Sequence, residues 1–137
     1  MEINPIGTVV TQSDGRSRVE LNPELTEGLE GLGAGDSVDV LYWMHELTVN
    51  DRQTLRVHPR GDRARQKQGV FALRSPMRPN PIGVSRVQIA AVETHALLVE
   101  ELDALDGSPV IDVKITGAAP EVKHVVDLWG GIHDHIA

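Results

Sequence analysis

The sequence predicts an all-β protein, built as a single compact β-barrel that is closed or nearly closed. Three observations carry that expectation. Short apolar runs rich in β-branched residues recur along the chain, glycine, proline and aspartate separate them, and hardly any segment has a helical period. At 137 residues the chain has the length of one domain with its own core. Many strands without crossover helices close most economically into a barrel.

Taken in order, the runs Ile6 to Val10, Arg18 to Leu21, Val38 to Met44 and Thr54 to Val57 read as strands. Val70 to Leu73, Val84 to Val92, Leu97 to Glu101 and Val110 to Ile115 read the same way. Alternation places Val38, Val40, Tyr42 and Met44 on one sheet face, and Val87, Ile89 and Ala91 on another. Asn22-Pro23-Glu24 starts a helix, with a capping side chain, proline at the first position and an early acid, but Gly28 and Gly31 cut it short. Asp106-Gly107 before Ser108-Pro109 marks a tight turn between the last two runs. The whole of 1–137 is expected as one domain, with 118–137 a short helical or irregular tail packing on the barrel or on a partner subunit.

The chain has no cysteine, which excludes disulfides and thiolate metal sites and fits a reducing compartment. No run approaches the roughly 20 apolar residues of a membrane span, and no basic, apolar leader opens the sequence. A soluble, cytoplasmic protein is expected. The net charge of −7 argues against a nonspecific nucleic-acid binder, yet eight of the 13 basic residues lie between Arg52 and Arg78, against one acid, Asp62. This segment, which includes Arg56, Arg60, Arg63, Arg65, Lys67 and Arg74, is either an anion-contacting surface or a solvated loop whose charges are paired.

Pro76, Pro79 and Pro81 bias Ser75, Arg78 and Asn80 toward extended geometry, so this stretch cannot be a helix. It reads as a rigid connector into the next strand, or as a pre-ordered wall that loses little entropy when a ligand binds. Glycine-rich 30–36 follows a weak helix and precedes a strand, the inverse of a dinucleotide-binding loop, so its glycines read as turn residues. His45-Glu46 ends an apolar strand, at a barrel mouth suited to a ligand or at an exposed terminus. Asp103 suits ribose hydroxyls or a ligand's positive charge, whereas Asp106 serves the turn. His133-Asp134-His135 has the only metal-like histidine spacing, and no metal is expected there without orienting partners. Four aromatics, Tyr42, Trp43, Phe71 and Trp129, are too few for a long base-stacking platform.

Three blocks in this order, YWMHE at 42–46, GVFALRSPMRPNPIGVSRV at 69–87 and LDALDGSPVIDVK at 102–114, resemble the TrmO family, also called TsaA-like or VirR-like. The resemblance spans Ile3 to Lys114 and implies a dimeric all-β methyltransferase that uses S-adenosylmethionine (SAM), bound between loops near the subunit interface. It implies cofactor contacts at His45, Glu46, Arg74, Val84, Leu102 and Asp103. Acceptor contacts are expected at Arg60, Arg78 and Asn80, with His45 the one candidate for proton removal. The best-known members methylate N6 of threonylcarbamoyladenosine beside the tRNA anticodon. A small anionic acceptor and a non-catalytic SAM sensor are the alternatives. The sequence departs from the family after its first strand, where TQSDGRSRVELN replaces a longer loop with a Pro-Arg-Gln segment, leaving Arg16 or Arg18 in its place. Larger members also carry a C-terminal extension that this sequence does not show.

Overall fold

The computed structural model of the chain describes residues 1–116 and, further on, the backbone of 124–126 and 132–134. Strands β1 (Gly7–Thr11), β2 (Ser17–Leu21) and β3 (Ser37–Trp43) come first. A short helix α1 (Val49–Gln53) and the two-residue strands β4 (Arg56–Val57) and β5 (Gln68–Gly69) follow. The long strand β6 (Ile82–Val92), β7 (Ala96–Val99) and β8 (Pro109–Ile115) complete the main body. Six strands close a barrel in the order β1-β2-β7-β6-β3-β8, each antiparallel to its neighbours.

The alternation read from the sequence sets which residues fill the barrel. Val38, Val40 and Tyr42 of β3 and Val87 and Ile89 of β6 are buried, together with Val9, Val19, Leu97, Val99 and Val110, while Met44 packs at the edge of this core. Valine dominates because a six-stranded barrel is narrow: about eight strands are needed before the interior just accommodates larger side chains or one small ligand. The interior is therefore occupied by the protein itself, and a ligand site has to be built outside it. Two bulges adjust the closure. One lies between Ile89 and Ala91 on β6, where Ala91 shifts out of the simple alternation, and the other between Leu41 and Tyr42 on β3.

Several expected elements differ in detail. Val70–Leu73 is not a strand: Val70–Ala72 forms a 3-10 turn closed by the Leu73 N–H donating to the Val70 carbonyl. Val70 is buried there while Phe71 is 74% exposed, so a single anchor holds the run. A four-residue apolar run does not by itself distinguish strand from turn. The run from Thr54 pairs only at Arg56↔Gly69 and Val57↔Gln68, because Thr54 still terminates α1. Helix α1 lies outside the expected elements although the sequence carries its signal: Thr48 and Asp51 form a reciprocal capping box, with bonds of 2.9 and 3.1 Å. The early helix is a 3-10 segment, Pro23–Leu29, and Asn22 does not cap it; its Nδ2 donates to the Pro5 carbonyl. Gly31 and Gly35 stand at φ 94° and 92° in turns before β3, as the inverted glycine segment implied.

Asp106 serves the last turn, its Oδ1 accepting from Thr11 N–H at 2.8 Å. Within the tail, β9 (His124–Val126) pairs with β10 (Ile132–Asp134) as an antiparallel ribbon. The rest of 118–137, its packing and the His133 and His135 side chains lie outside the described residues.

Candidate functional site

Between β3 and β6 the chain makes a long excursion over residues 44–81, leaving and returning beside the rung Trp43↔Ile82. Its return is stiffened from both sides. Arg78 Nη1 donates to the carbonyls of Leu73 (3.1 Å) and Ser75 (2.8 Å), and Met77 N–H donates to Ser75 Oγ at 3.1 Å. Arg52 Nε donates to the Pro79 carbonyl at 2.9 Å, with its guanidinium 5.2 Å from the Trp43 ring centre. Met44 N–H then donates to the carbonyl of buried Pro81, extending the ladder. The proline segment is thus a braced wall.

A cavity of about 680 Å³ lies against this wall. Tyr42 and Met44 from the end of β3 and Ile82, Gly83 and Val84 from the start of β6 form one side; Phe71 to Pro76 with Arg78 form the other. Asp103 enters from the loop after β7. Glu101 sits at φ 45° just before it, bending the chain so that Leu102 turns into the core while Asp103 stays exposed. Tyr42 is buried, its hydroxyl donating to the Asp103 carbonyl and lying 3.1 Å from Ser85 Oγ. The ring packs directly on Gly83, where a Cβ would fall 2.5 Å from ring carbons, so only glycine leaves room for both.

Four of the expected cofactor and acceptor residues, Arg74, Val84, Asp103 and Arg78, therefore share one cavity. Leu102 lies in the core beneath it. His45 and Glu46 are exposed on the turn after Met44, outside the cavity lining, and Asn80 is likewise exposed and does not line the cavity. Arg60 lines a separate cleft of about 930 Å³. Arg16 and Arg18 are engaged elsewhere: Arg16 pairs with Glu100 at 3.3 Å, and Arg18 makes a two-point contact with Glu93 at 2.7 and 3.3 Å. That hydrogen bond holds the Glu93 carboxyl below its ordinary range and raises the Arg18 guanidinium. Sequence reasoning missed Tyr42, Met44 and Gly83 as site residues. Their signal was the register, since β3 and β6 pair Tyr42 with Gly83.

The lining fits a zwitterionic adenosyl amino acid. Met44, Phe71, Ile82 and Val84 offer flat apolar surface, Arg74 offers a guanidinium with no carboxylate within salt-bridge distance among the described residues, and Asp103 offers a carboxylate for hydroxyl or ammonium donors. Its volume lies within the ordinary range of small-ligand sites, roughly 300–1,000 Å³.

Known proteins resemble this chain in sequence and fold. A probable S-adenosyl-L-methionine-binding protein of Methanocaldococcus jannaschii is 42% identical over 114 residues, covering 82% of this chain and 90% of that one. An S-adenosyl-L-methionine-binding protein of Archaeoglobus fulgidus is 44% identical over 118 residues, covering 86% and 80%. The crystal structure of TrmO from Pseudomonas aeruginosa superposes with a TM-score of 0.65 at 28% identity; it covers 98% of this chain, which spans 63% of that longer protein. The profile of the family described as tRNA-methyltransferase O N-terminal domain matches residues 4–116, the closed barrel together with its braced excursion. By that match, and by the relatives that share it over most of their own length, the chain belongs to the tRNA-methyltransferase O N-terminal domain family.

Proposed function

We propose that this chain is a SAM-dependent methyltransferase whose acceptor is N6 of threonylcarbamoyladenosine beside the tRNA anticodon, acting as a cytoplasmic homodimer. The observation that carries the reading is the cavity at the β3–β6 junction, where Arg74, Asp103 and an apolar wall meet on a rigid frame. Family membership supports the same chemistry. Bound SAM supplies a methyl group on a positively charged sulfur, ready for transfer to a nucleophile.

The protein's own part is binding and orientation, the main source of acceleration for a one-step displacement. Arg74 holds the cofactor carboxylate through charge-assisted hydrogen bonds, and Asp103 accepts from ribose hydroxyls or the ammonium group. Val84 covers the adenine, with Leu102 fixing the loop from below. His45 and Glu46, exposed on the turn beyond Met44, would reach the cofactor from outside the cavity lining. Arg78, Asn80 and Arg60 would meet the acceptor, Arg78 from the cavity and Arg60 from the neighbouring cleft. The acceptor nitrogen must release a proton as the new C–N bond forms, and its neighbouring carbonyl already eases that loss; His45 is the candidate to take it. Burying exposed apolar side chains such as Leu105 would favour the homodimer. No helix among the described residues is long and apolar enough to cross a membrane.

Calorimetric titration with SAM tests the cofactor, and labelled SAM with tRNA carrying the threonylcarbamoyl base tests the acceptor. Binding followed by methyl transfer is expected. SAM binding without transfer to that base would remove this acceptor, and no binding would remove the reading as a whole.

A further inference from the structure

We infer that the groove between the 3-10 segment Pro23–Leu29 and the free edge of β8 is a docking site for an extended basic segment of another protein, which adds to the barrel as an extra strand. The groove has a volume of about 520 Å³ and shares no lining residue with the cofactor cavity, so the inference stands apart from the cofactor reading.

Strand β8 is paired unevenly. On one side β3 accompanies it as far as Ile115, whereas on the other β1 meets it at Pro109 and Val110 and goes no further. The cause lies in the residues before β1. Ile6 N–H donates to the Val110 carbonyl at 2.8 Å, but Pro5 has no N–H with which to continue the ladder. The Pro5 carbonyl accepts from Asn22 Nδ2 at 3.3 Å, and Asn22 N–H donates to the Ile6 carbonyl at 2.9 Å, which draws the chain away from β8. Thr116 N–H donates to the Ser37 carbonyl at 2.9 Å on the β3 side, so Val113 and Ile115 turn their backbone groups to the opposite side. No strand among the described residues pairs there. The Val113 N–H is held by Asp112 Oδ1 at 2.9 Å, a bond that an incoming carbonyl can replace. An open strand edge of this kind is a template for another chain.

The side chains fix the chemistry of the occupant. Leu25, Leu32, Val113 and Ile115 give the groove apolar surface, and exposed Glu24, Glu27 and Glu30 stand along it. No lysine or arginine lines the groove, and among the described residues none of these three carboxylates has a cation within salt-bridge distance. In a 3-10 helix residues three apart eclipse one another, about 6 Å apart along the axis. Glu30 N–H donates to the Glu27 carbonyl at 3.2 Å, which carries the row past the helix end. Alternate residues of an extended chain repeat at nearly the same interval, about 6.6 Å. A strand laid against β8 therefore presents every second side chain to a carboxylate. Lysine or arginine at those positions neutralises the row, and valine or isoleucine at the intervening ones enters the apolar surface. The chain's own residues 117–137, with three acids against one lysine, lack that charge.

The test is fluorescence anisotropy of the full chain with a labelled peptide of about eight residues that alternates lysine and valine. A peptide of the same composition with its lysines in one block carries equal charge and should bind roughly 10-fold more weakly. Methylating the backbone amides along one edge of the alternating peptide should weaken it by a similar factor. The double variant Glu24→Gln with Glu27→Gln should lower affinity roughly 3-fold or more near 0.1 M salt and leave SAM affinity unchanged. Equal binding of the blocked and alternating peptides, indifference to amide methylation, or unaltered affinity in the double variant would each overturn the inference. So would failure of the full chain to bind the alternating peptide. Conversion of a dimer to monomers by that peptide in sedimentation would overturn it as well, by giving the groove to a second copy of the chain.

Discussion

Arg74 and Gly83 divide the candidate site between charge and space. With no acid paired to it among the described residues, Arg74 is available to a ligand carboxylate, so Arg74→Ala should weaken SAM binding by about 1.5–3 kcal/mol in a calorimetric titration while leaving the thermal midpoint nearly unchanged. Gly83→Ala works through Tyr42: the added Cβ would overlap a buried ring whose hydroxyl is anchored to Asp103. A stability loss of roughly 1–3 kcal/mol in urea is expected, accompanied by weaker SAM binding. The Arg18–Glu93 pair tests electrostatics far from the site. Because the folded-state carboxyl of Glu93 is lowered, its contribution is complete above the ordinary carboxylate range and disappears as pH falls through the lowered value. Glu93→Gln should therefore be less stable than wild type at neutral pH, and the two unfolding curves should converge in acid.

The 44–81 excursion depends on a few cross-braces. Arg52→Ala removes both the bond to the Pro79 carbonyl and the stacking on Trp43, at a cost of roughly 1–3 kcal/mol. Amide exchange across 73–80 should accelerate while the six barrel strands keep their protection. The barrel strands were legible because alternation marks a half-buried strand wherever one face meets a core: the buried face of β3 follows it throughout, and that of β6 follows it through Val87 and Ile89 until the bulge displaces Ala91. The excursion was less legible. There, single anchors such as Val70 replace alternation, and α1 rests on a capping box rather than on an apolar stripe. The candidate cavity was partly legible in the three sequence blocks, whose Arg74, Arg78, Val84 and Asp103 line it, whereas His45, Glu46, Asn80 and Leu102 do not. Tyr42 and Gly83 were not legible, because a pocket floor made by two paired strands exists only once their register is known.

Over the molecule, the valine-filled barrel supplies the core and the excursion builds one side of the cavity. Leu97, fully buried, is the test of the first half: Leu97→Ala should cost about 2–5 kcal/mol in denaturant unfolding. The charge distribution is lopsided, an acidic body bearing one basic segment, so encounter with a polyanion is steered toward the excursion and repelled elsewhere. The excursion departs and returns beside one rung, Trp43 opposite Ile82, which makes it a detour that the barrel hardly feels. Doubling a flexible loop costs only about 0.6 kcal/mol in closure entropy. Lengthening, shortening or rewriting such a detour leaves its two strand ends side by side, so one scaffold can fold beneath many versions of it.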